Sequence, residues 1–144
     1  MKLETILTVK GHEVASIRPD APVRDLVVQL AEHNYGALVV SADGATVAGM
    51  ASERDIVRAL STRGAAVLDE PVSTIMTNVV QCAPPDAAVE DIMALMTNRR
   101  VRHIPVVDES GGMIGLVSIG DVVKNRLGEL QGERDALMQY VTSS

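Results

Sequence analysis

The chain is poor in the residues on which several classes of protein depend. Its 144 residues include one cysteine, no tryptophan, no phenylalanine and two tyrosines. The single cysteine, Cys82, excludes a disulfide within the chain and disfavours a cysteine metal cluster. With only Tyr35 and Tyr140 as large aromatic side chains, bases cannot stack on a series of aromatic platforms, so single-stranded nucleic acid is a poor ligand.

Long apolar runs and excess positive charge are also missing. No run approaches the roughly 18 apolar residues needed to span a membrane. The first residues, Met-Lys-Leu-Glu-Thr, contain no apolar signal core, so we expect a cytoplasmic protein without a membrane partner. The net charge of −6 disfavours a broad surface for nucleic-acid phosphates. The three histidines are scattered without the spacing of metal ligands, so we predict no metal site.

The chain contains an internal repeat. Sliding the sequence by 66 residues aligns its two halves without a gap. We therefore predict an N-terminal segment that joins the fold, a first repeat, a linker, a second repeat and a C-terminal helical tail. Their predicted bounds are 1–13, 14–64, 65–78, 79–127 and 128–144. Identities between the halves include Gly49 with Gly115, Ser52 with Ser118, Asp55 with Asp121 and Val57 with Val123.

Each repeat shows the periodicity of a strand, a helix, two strands and a second helix. In the first repeat, Asp20 is the predicted N-cap of the first helix, which is predicted to end at Gly36. Ser52 opens the second helix and Gly64 ends it. The predicted strands are residues 14–17, 37–40 and 47–51, then 79–83, 104–107 and 113–117.

Glycine shapes two further expectations. Gly128 and Gly132 predict that the C-terminal tail is a broken or separate helix, because glycine is a poor helix former. Gly49 and Gly115 recur at the same place in a strand of each repeat, where they predict a close backbone approach or a bulge.

Two stretches of the second repeat carry a family resemblance. Residues 104–108 (Ile-Pro-Val-Val-Asp) and 115–122 (Gly-Leu-Val-Ser-Ile-Gly-Asp-Val) resemble the signature of a cystathionine-β-synthase (CBS) domain. The first repeat carries a looser copy at 36–40 and 49–56, without the proline and the aspartate of the first stretch. The resemblance covers about residues 5–127. It implies an α/β (α+β) fold in which two β-α-β-β-α repeats pack pseudo-symmetrically as a Bateman module.

The resemblance implies a binding module without catalytic activity. Such pairs bind AMP, ADP, ATP, S-adenosylmethionine or NAD in two clefts between the repeats, and they usually form homodimers. We expect an adenine nucleotide as regulatory ligand, with AMP first, and a regulated protein partner whose identity the sequence does not reveal. No catalytic cofactor is expected. The alternative function is a ligand-free dimerisation or protein-interaction module.

The repeated Ser-x-x-Asp pattern has two interpretations. Before an apolar helix it is a capping box, in which the two residues satisfy free backbone N–H groups. A carboxylate at this position also suits the two hydroxyl groups of a ribose. The pattern alone favours capping, whereas the family resemblance favours ribose binding by Asp55 and Asp121, with capping by serine at the same time.

The resemblance assigns residues to two shared clefts. In the first cleft, Arg102 and His103 are the preferred phosphate ligands, while Arg99 and Arg100 are interpreted as a solvated helix end. We expect the first cleft to be the stronger phosphate site, because Lys10 is the main charge in the second. The first cleft comprises Met50, Ser52, Arg54, Asp55, Val80, Gln81, Val101, Arg102 and His103. The second comprises Lys10, Val14, Ala15, Tyr35, Gly36, Ala37, Leu116, Ser118 and Asp121.

An enzyme would need an activated nucleophile. Cys82 and His103 are the only pair that suggests one, and no third group that would orient the histidine is evident in the sequence. A lone cysteine is more often a small apolar side chain. The sequence therefore favours a regulatory binding role over catalysis.

Overall fold

A computed structural model describes residues 1–143 and divides them into two similar halves joined by a linker. Two short 3-10 turns, Ala65–Asp69 and Val72–Thr74, lie in that linker. The helices are α1 (Leu3–Lys10), α2 (Val23–His33), α3 (Glu53–Arg63), α4 (Val89–Arg99) and α5 (Ile119–Ser143). The strands are β1 (Ser16–Ile17), β2 (Ala37–Val40), β3 (Gly49–Ser52), β4 (His103–Val107) and β5 (Met113–Ser118).

Each repeat contains one antiparallel strand pair that leads directly into a helix. β2 pairs with β3, so that Ala37 faces Ser52, and β1 adds to β2 in parallel. β4 pairs with β5 in the same way, so that His103 faces Ser118. The register therefore places the first residue of β2, and the first residue of β4, beside the Ser-x-x-Asp motif of the same repeat.

The predicted strand at 79–83 is wrong. Only Ala83 pairs, through a single parallel bridge to Val106. Residues 79–82 do not pair, and the ladder ends after Ala83, because Pro84 and Pro85 have no N–H to donate. The second sheet consequently has two strands, while the first has three.

The predicted ends of α2 are also wrong. The helix begins at Val23 after Pro22, and Asp20 lies in the preceding turn, where it pairs with Arg18. It ends at Asn34, which adopts a left-handed conformation (φ 56°), and not at Gly36. Asparagine tolerates that conformation well enough to end a helix, so a glycine was not needed.

The C-terminal tail does not form a broken helix. α5 runs without interruption from Ile119 to Ser143, through Gly128 and Gly132. Each glycine lowers the stability of the helix by about 1 kcal/mol relative to alanine but leaves its backbone hydrogen bonds possible. No helix within residues 1–143 combines the length and apolar character of a membrane span.

The core of each repeat includes a segment from outside that repeat. Leu3 and Leu7 of α1 are fully buried in the cluster of the second repeat, and Val72 of the linker is fully buried in the cluster of the first. The two recurring glycines make room for these segments. A Cβ at Gly115 would lie 2.5 Å from the Leu7 side chain, and one at Gly49 would lie 2.7 Å from Met76 Sδ. A close approach of another segment occurs at both glycines, and the β4–β5 register also shifts beside Gly115, between Val106 and Val107.

Candidate functional site

Both Ser-x-x-Asp motifs form capping boxes at helix starts. Ser52 N–H donates to Asp55 Oδ2 at 2.9 Å, and Asp55 N–H donates to Ser52 Oγ at 3.3 Å. The same bonds join Ser118 and Asp121, at 2.9 and 3.2 Å. The capping interpretation is therefore correct for both motifs. The capping bonds use only Oδ2 of each carboxylate. Because an ionised carboxylate offers acceptor sites on both oxygens, Oδ1 takes no part in capping.

A cleft of about 910 Å³ lies beside the first motif and is walled by both repeats. It brings together all nine residues assigned to the first cleft from sequence. These residues come from β3, the start of α3, the segment after the linker, and the start of β4. They are Met50, Ser52, Arg54, Asp55, Val80, Gln81, Val101, Arg102 and His103.

The mouth of this cleft is basic. Arg54 and Arg102 line it and are exposed. Arg58 and Arg100 line it as well. Arg58 was missed by sequence reasoning, although its spacing of four residues from Arg54 places both on one helix face. Arg100 was interpreted as part of a solvated helix end; it does end α4, and it also forms part of the cleft wall.

His103 is half-buried between the two motifs. It lines the first cleft and pairs across the sheet with Ser118 of the second motif. Burial lowers the pKa of His103, the Lys10 charge lowers it further, Asp121 opposes this, and Arg102 adds to the lowering. His103 is therefore neutral at pH 7, and an anion bound beside it would favour proton uptake by the imidazole.

The second motif differs because a cation of the same chain lies against it. Lys10 Nζ, at the end of α1, donates to Asp121 Oδ2 at 2.6 Å and to the Leu116 carbonyl at 2.7 Å. Partial burial opposes ionisation of Asp121, but the hydrogen bonds from Lys10 and Ser118 outweigh it and lower its pKa. The ion pair is thus intact at neutral pH. Within residues 1–143, no ion pair involves Asp55.

The remaining residues assigned to the second cleft are dispersed. Gly36 and Ala37 line the wall of the first cleft, because the β2–β3 register places them beside Ser52. Tyr35 is exposed and stacks on His33 with ring centroids 5.4 Å apart. Val14 and Ala15 are half-buried ahead of β1, and Ala15 packs against the core of the first repeat.

Cys82 lies apart from His103. It is exposed on a smaller cavity of about 460 Å³ lined by Pro84, Pro85 and Asp108 among others, and His103 does not line that cavity. Partial burial of the sulfur raises the pKa of the thiol, which disfavours the nucleophilic thiolate. The structure therefore lends no support to a cysteine–histidine catalytic pair.

These features define a class of protein: two repeats, each with an antiparallel strand pair between two helices, that share a cleft beside a capped helix start. The CBS domain family matches residues 8–62 and 72–128, which is most of the chain. The chain belongs to the CBS domain family.

Relatives with known names or structures share this organisation. A mitochondrial CBS domain-containing protein of Arabidopsis thaliana is 40% identical over 126 residues, which are 85% of this chain and 61% of the relative. The chain thus spans about three fifths of that relative's length. The crystal structure of a CBS-domain containing protein from Agrobacterium tumefaciens is 40% identical, has a TM-score of 0.81, and covers 87% of this chain and 92% of its own.

Several similar structures contain ligands: two are complexed with AMP, and another with 5-methylthioadenosine and S-adenosyl-L-methionine. A CBS domain protein from Pyrobaculum aerophilum, complexed with AMP, is 25% identical with a TM-score of 0.72. The alignment covers 84% of this chain and 89% of that protein. The two folds therefore correspond over nearly their whole lengths.

Proposed function

We propose that this protein is a regulatory module that binds an adenine nucleotide, AMP above all, in the first cleft. Nucleotide binding then changes its conformation or its interaction with a regulated protein. The observation that carries this proposal is the convergence of all nine residues of the first cleft on a single cavity between the repeats. The AMP complex of the relative from Pyrobaculum aerophilum supports AMP as the first ligand to test. The role is regulatory and not catalytic, and a cytoplasmic location stays a prediction.

The chemistry of the cleft matches the parts of the nucleotide. Asp55 has an open carboxylate oxygen, Oδ1, for the two ribose hydroxyl groups, since its capping bonds use Oδ2. Met50, Val80 and Val101 offer aliphatic surface for the adenine ring, in a chain that has no tryptophan or phenylalanine. Arg102 and the neighbouring arginines supply charge-assisted hydrogen bonds for the phosphate.

The two motifs are not equivalent, and the first is the stronger site. Asp55 faces an open cleft, whereas Asp121 is neutralised by Lys10 at 2.6 Å. A nucleotide at the second motif must displace this ammonium group before its ribose reaches the carboxylate. The first cleft therefore fills first, and Lys10 opposes binding at the second.

Thermal unfolding with a panel of AMP, ADP, ATP, NAD, NADH and S-adenosylmethionine tests the function. AMP is expected to give the largest stabilisation, and a ligand at about 100 times its Kd adds roughly 2.7 kcal/mol. A larger shift with another member of the panel would reassign the ligand. The absence of a shift with every member would favour the ligand-free interaction module instead.

Removal of the Lys10 charge is expected to open the second site. In Lys10→Met, calorimetric titration with AMP should show the stoichiometry rising from about one to about two per chain, because Asp121 then has no competing cation. Lys2→Met, at the other end of α1, is the matched control and should leave the stoichiometry at about one. A wild-type chain that already binds two AMP would show that Lys10 does not block the second site, and loss of a site in Lys10→Met would show that Lys10 assists it.

The module also acts as a homodimer. α5 carries several large apolar side chains that are exposed, among them Leu127 and Leu137 at 61% and 64%. Apolar side chains grouped in this way on one element are typical of protein–protein interfaces. Self-association through α5 would also serve the alternative function, which requires no nucleotide.

A further inference from the structure

An apolar stripe on α5 has the spacing of a coiled-coil seam. Val123, Leu127, Leu130 and Leu137 follow one another at intervals of four, three and seven residues, with Arg134 at the intervening position. Alternating steps of four and three place side chains on one face of a helix at the a and d positions of a heptad. All four apolar side chains are exposed, at 43%, 61%, 45% and 64%.

The outer part of α5 has little support from its own chain. Every residue from 131 to 139 is exposed, and Gly132 lies within this stretch. A helix of about 12 residues or fewer is marginal in water when nothing packs against it. A second helix along the seam would supply the packing that this stretch requires, and a coiled-coil spacing specifies a helix as the partner.

We propose that the partner is α5 of a second copy, packed antiparallel about a two-fold axis between Gly128 and Glu129. Arg134 decides the direction. In a parallel pair, equivalent positions face each other, so the two Arg134 side chains would meet in one layer of the seam. In the antiparallel pair, a positions face d positions, so Arg134 meets Val123 of the second copy, and its aliphatic stem covers that valine while the guanidinium reaches water.

Charge complementarity selects the register. With the axis between Gly128 and Glu129, Leu127 packs on Leu130 of the second copy, and Arg126 lies opposite Glu133 of the second copy. Symmetry forms each of these contacts twice. A shift by one heptad would place the two Glu133 side chains opposite each other, which is repulsive. Arg126 is held at the edge of the seam by an ion pair of 2.8 Å with Glu129 of the same chain. Its guanidinium group has further N–H donors that can reach Glu133 of the second copy.

This pairing deepens the proposed homodimer and does not depend on the nucleotide site. α5 begins directly after Ser118, so the paired helices start at the second Ser-x-x-Asp motif of each copy. An interface on α5 is therefore adjacent to a candidate binding site. AMP titration of each variant separates the two ideas, because loss of the dimer with AMP binding retained leaves the nucleotide proposal standing.

Sedimentation equilibrium of the full chain at about 50 μM tests the interface, a concentration well above the micromolar Kd of a modest association. The wild type is expected to be a dimer, and Leu130→Glu and Leu137→Glu are expected to raise the dissociation constant at least about 100-fold, since each buries a charge in the seam. Gln139→Glu adds the same charge on the opposite face of α5 and should leave the dimer intact. A monomeric wild type, or dimers that survive both leucine substitutions, would overturn the proposal.

Cysteine crosslinking tests the direction. In a Cys82→Ser background, a mixture of Leu127→Cys and Leu130→Cys chains should form disulfide-linked dimers faster than either chain alone, because these positions share a layer in the antiparallel pair. Faster crosslinking of each variant with itself would indicate a parallel pair and overturn the antiparallel assignment. Far-UV circular dichroism and urea unfolding of each variant confirm that the chain is folded in both experiments.

Discussion

AMP affinity is expected to fall about 10- to 100-fold when Asp55 is replaced by asparagine, because a hydrogen bond to a charged group contributes roughly 1.5–3 kcal/mol. The substitution keeps the shape of the side chain and replaces a carboxylate oxygen with an amide. Asp55 borders the cleft between the repeats, and Oδ1 is the oxygen left open by the capping box. Calorimetric titration of AMP into the wild type and the variant measures the change directly.

Asp121→Asn is the matched control for this experiment. Asp121 makes the same capping bonds as Asp55, so both variants weaken a helix start in the same way. Asp121 also forms the ion pair with Lys10. The Asp121→Asn substitution should change AMP affinity at the first cleft by less than about threefold, which is under 1 kcal/mol. The ranking of the two clefts would be wrong if Asp121→Asn abolished AMP binding while Asp55→Asn left it intact.

The free energy of unfolding is expected to fall by about 2–5 kcal/mol in Leu7→Ala, the range observed for truncation of buried leucines. Leu7 is fully buried in the core of the second repeat, although it belongs to the helix that precedes the first. Its side chain fills the space left by the missing Cβ of Gly115. Truncation of this side chain therefore leaves a cavity beside Gly115. Urea unfolding followed by circular dichroism measures the loss.

Val9→Ala provides the control on the same helix. Val9 is 88% exposed, so its truncation should change stability by no more than about 0.5 kcal/mol. A loss below about 1 kcal/mol in Leu7→Ala would mean that α1 is not an integral part of the second core, because a buried leucine costs more than this. Equal effects of the two substitutions would have the same meaning.

Local chemistry allowed several features to be predicted from sequence alone. The serine and aspartate of each motif form capping boxes because their side chains bond backbone groups three residues away. The α2 boundaries were not predictable in this way. Asp20 is a good N-cap in isolation, but Arg18 and the turn before Pro22 engage it instead. The strand prediction at 79–83 was wrong for a related reason, because pairing there depends on where β4 lies in the fold.

The residues that the family resemblance assigned to the first cleft lie together, whereas some of those assigned to the second do not. The nine residues assigned to the first cleft share one cavity, whereas Gly36 and Ala37, assigned to the second, border the first. The linear assignment did not account for the β2–β3 register, which places Ala37 directly beside Ser52. Arg58 was missed because its part in the cleft depends on the packing of the repeats and not on a motif.

The sequence by itself determined the duplication, the helix–strand–strand–helix order common to both repeats and the two capped helix starts, since each depends on periodicity or on residues a few positions apart. The family resemblance placed Lys10 in the same cleft as Asp121, but only the tertiary structure decided that the two side chains bond directly and so make the two equivalent aspartates chemically different. Lys10 and Asp121 are separated by 111 positions in the chain, yet they form an ion pair of 2.6 Å because α1 packs into the core of the second repeat. A contact of this kind follows from the packing of whole elements, which the repeat pattern does not encode.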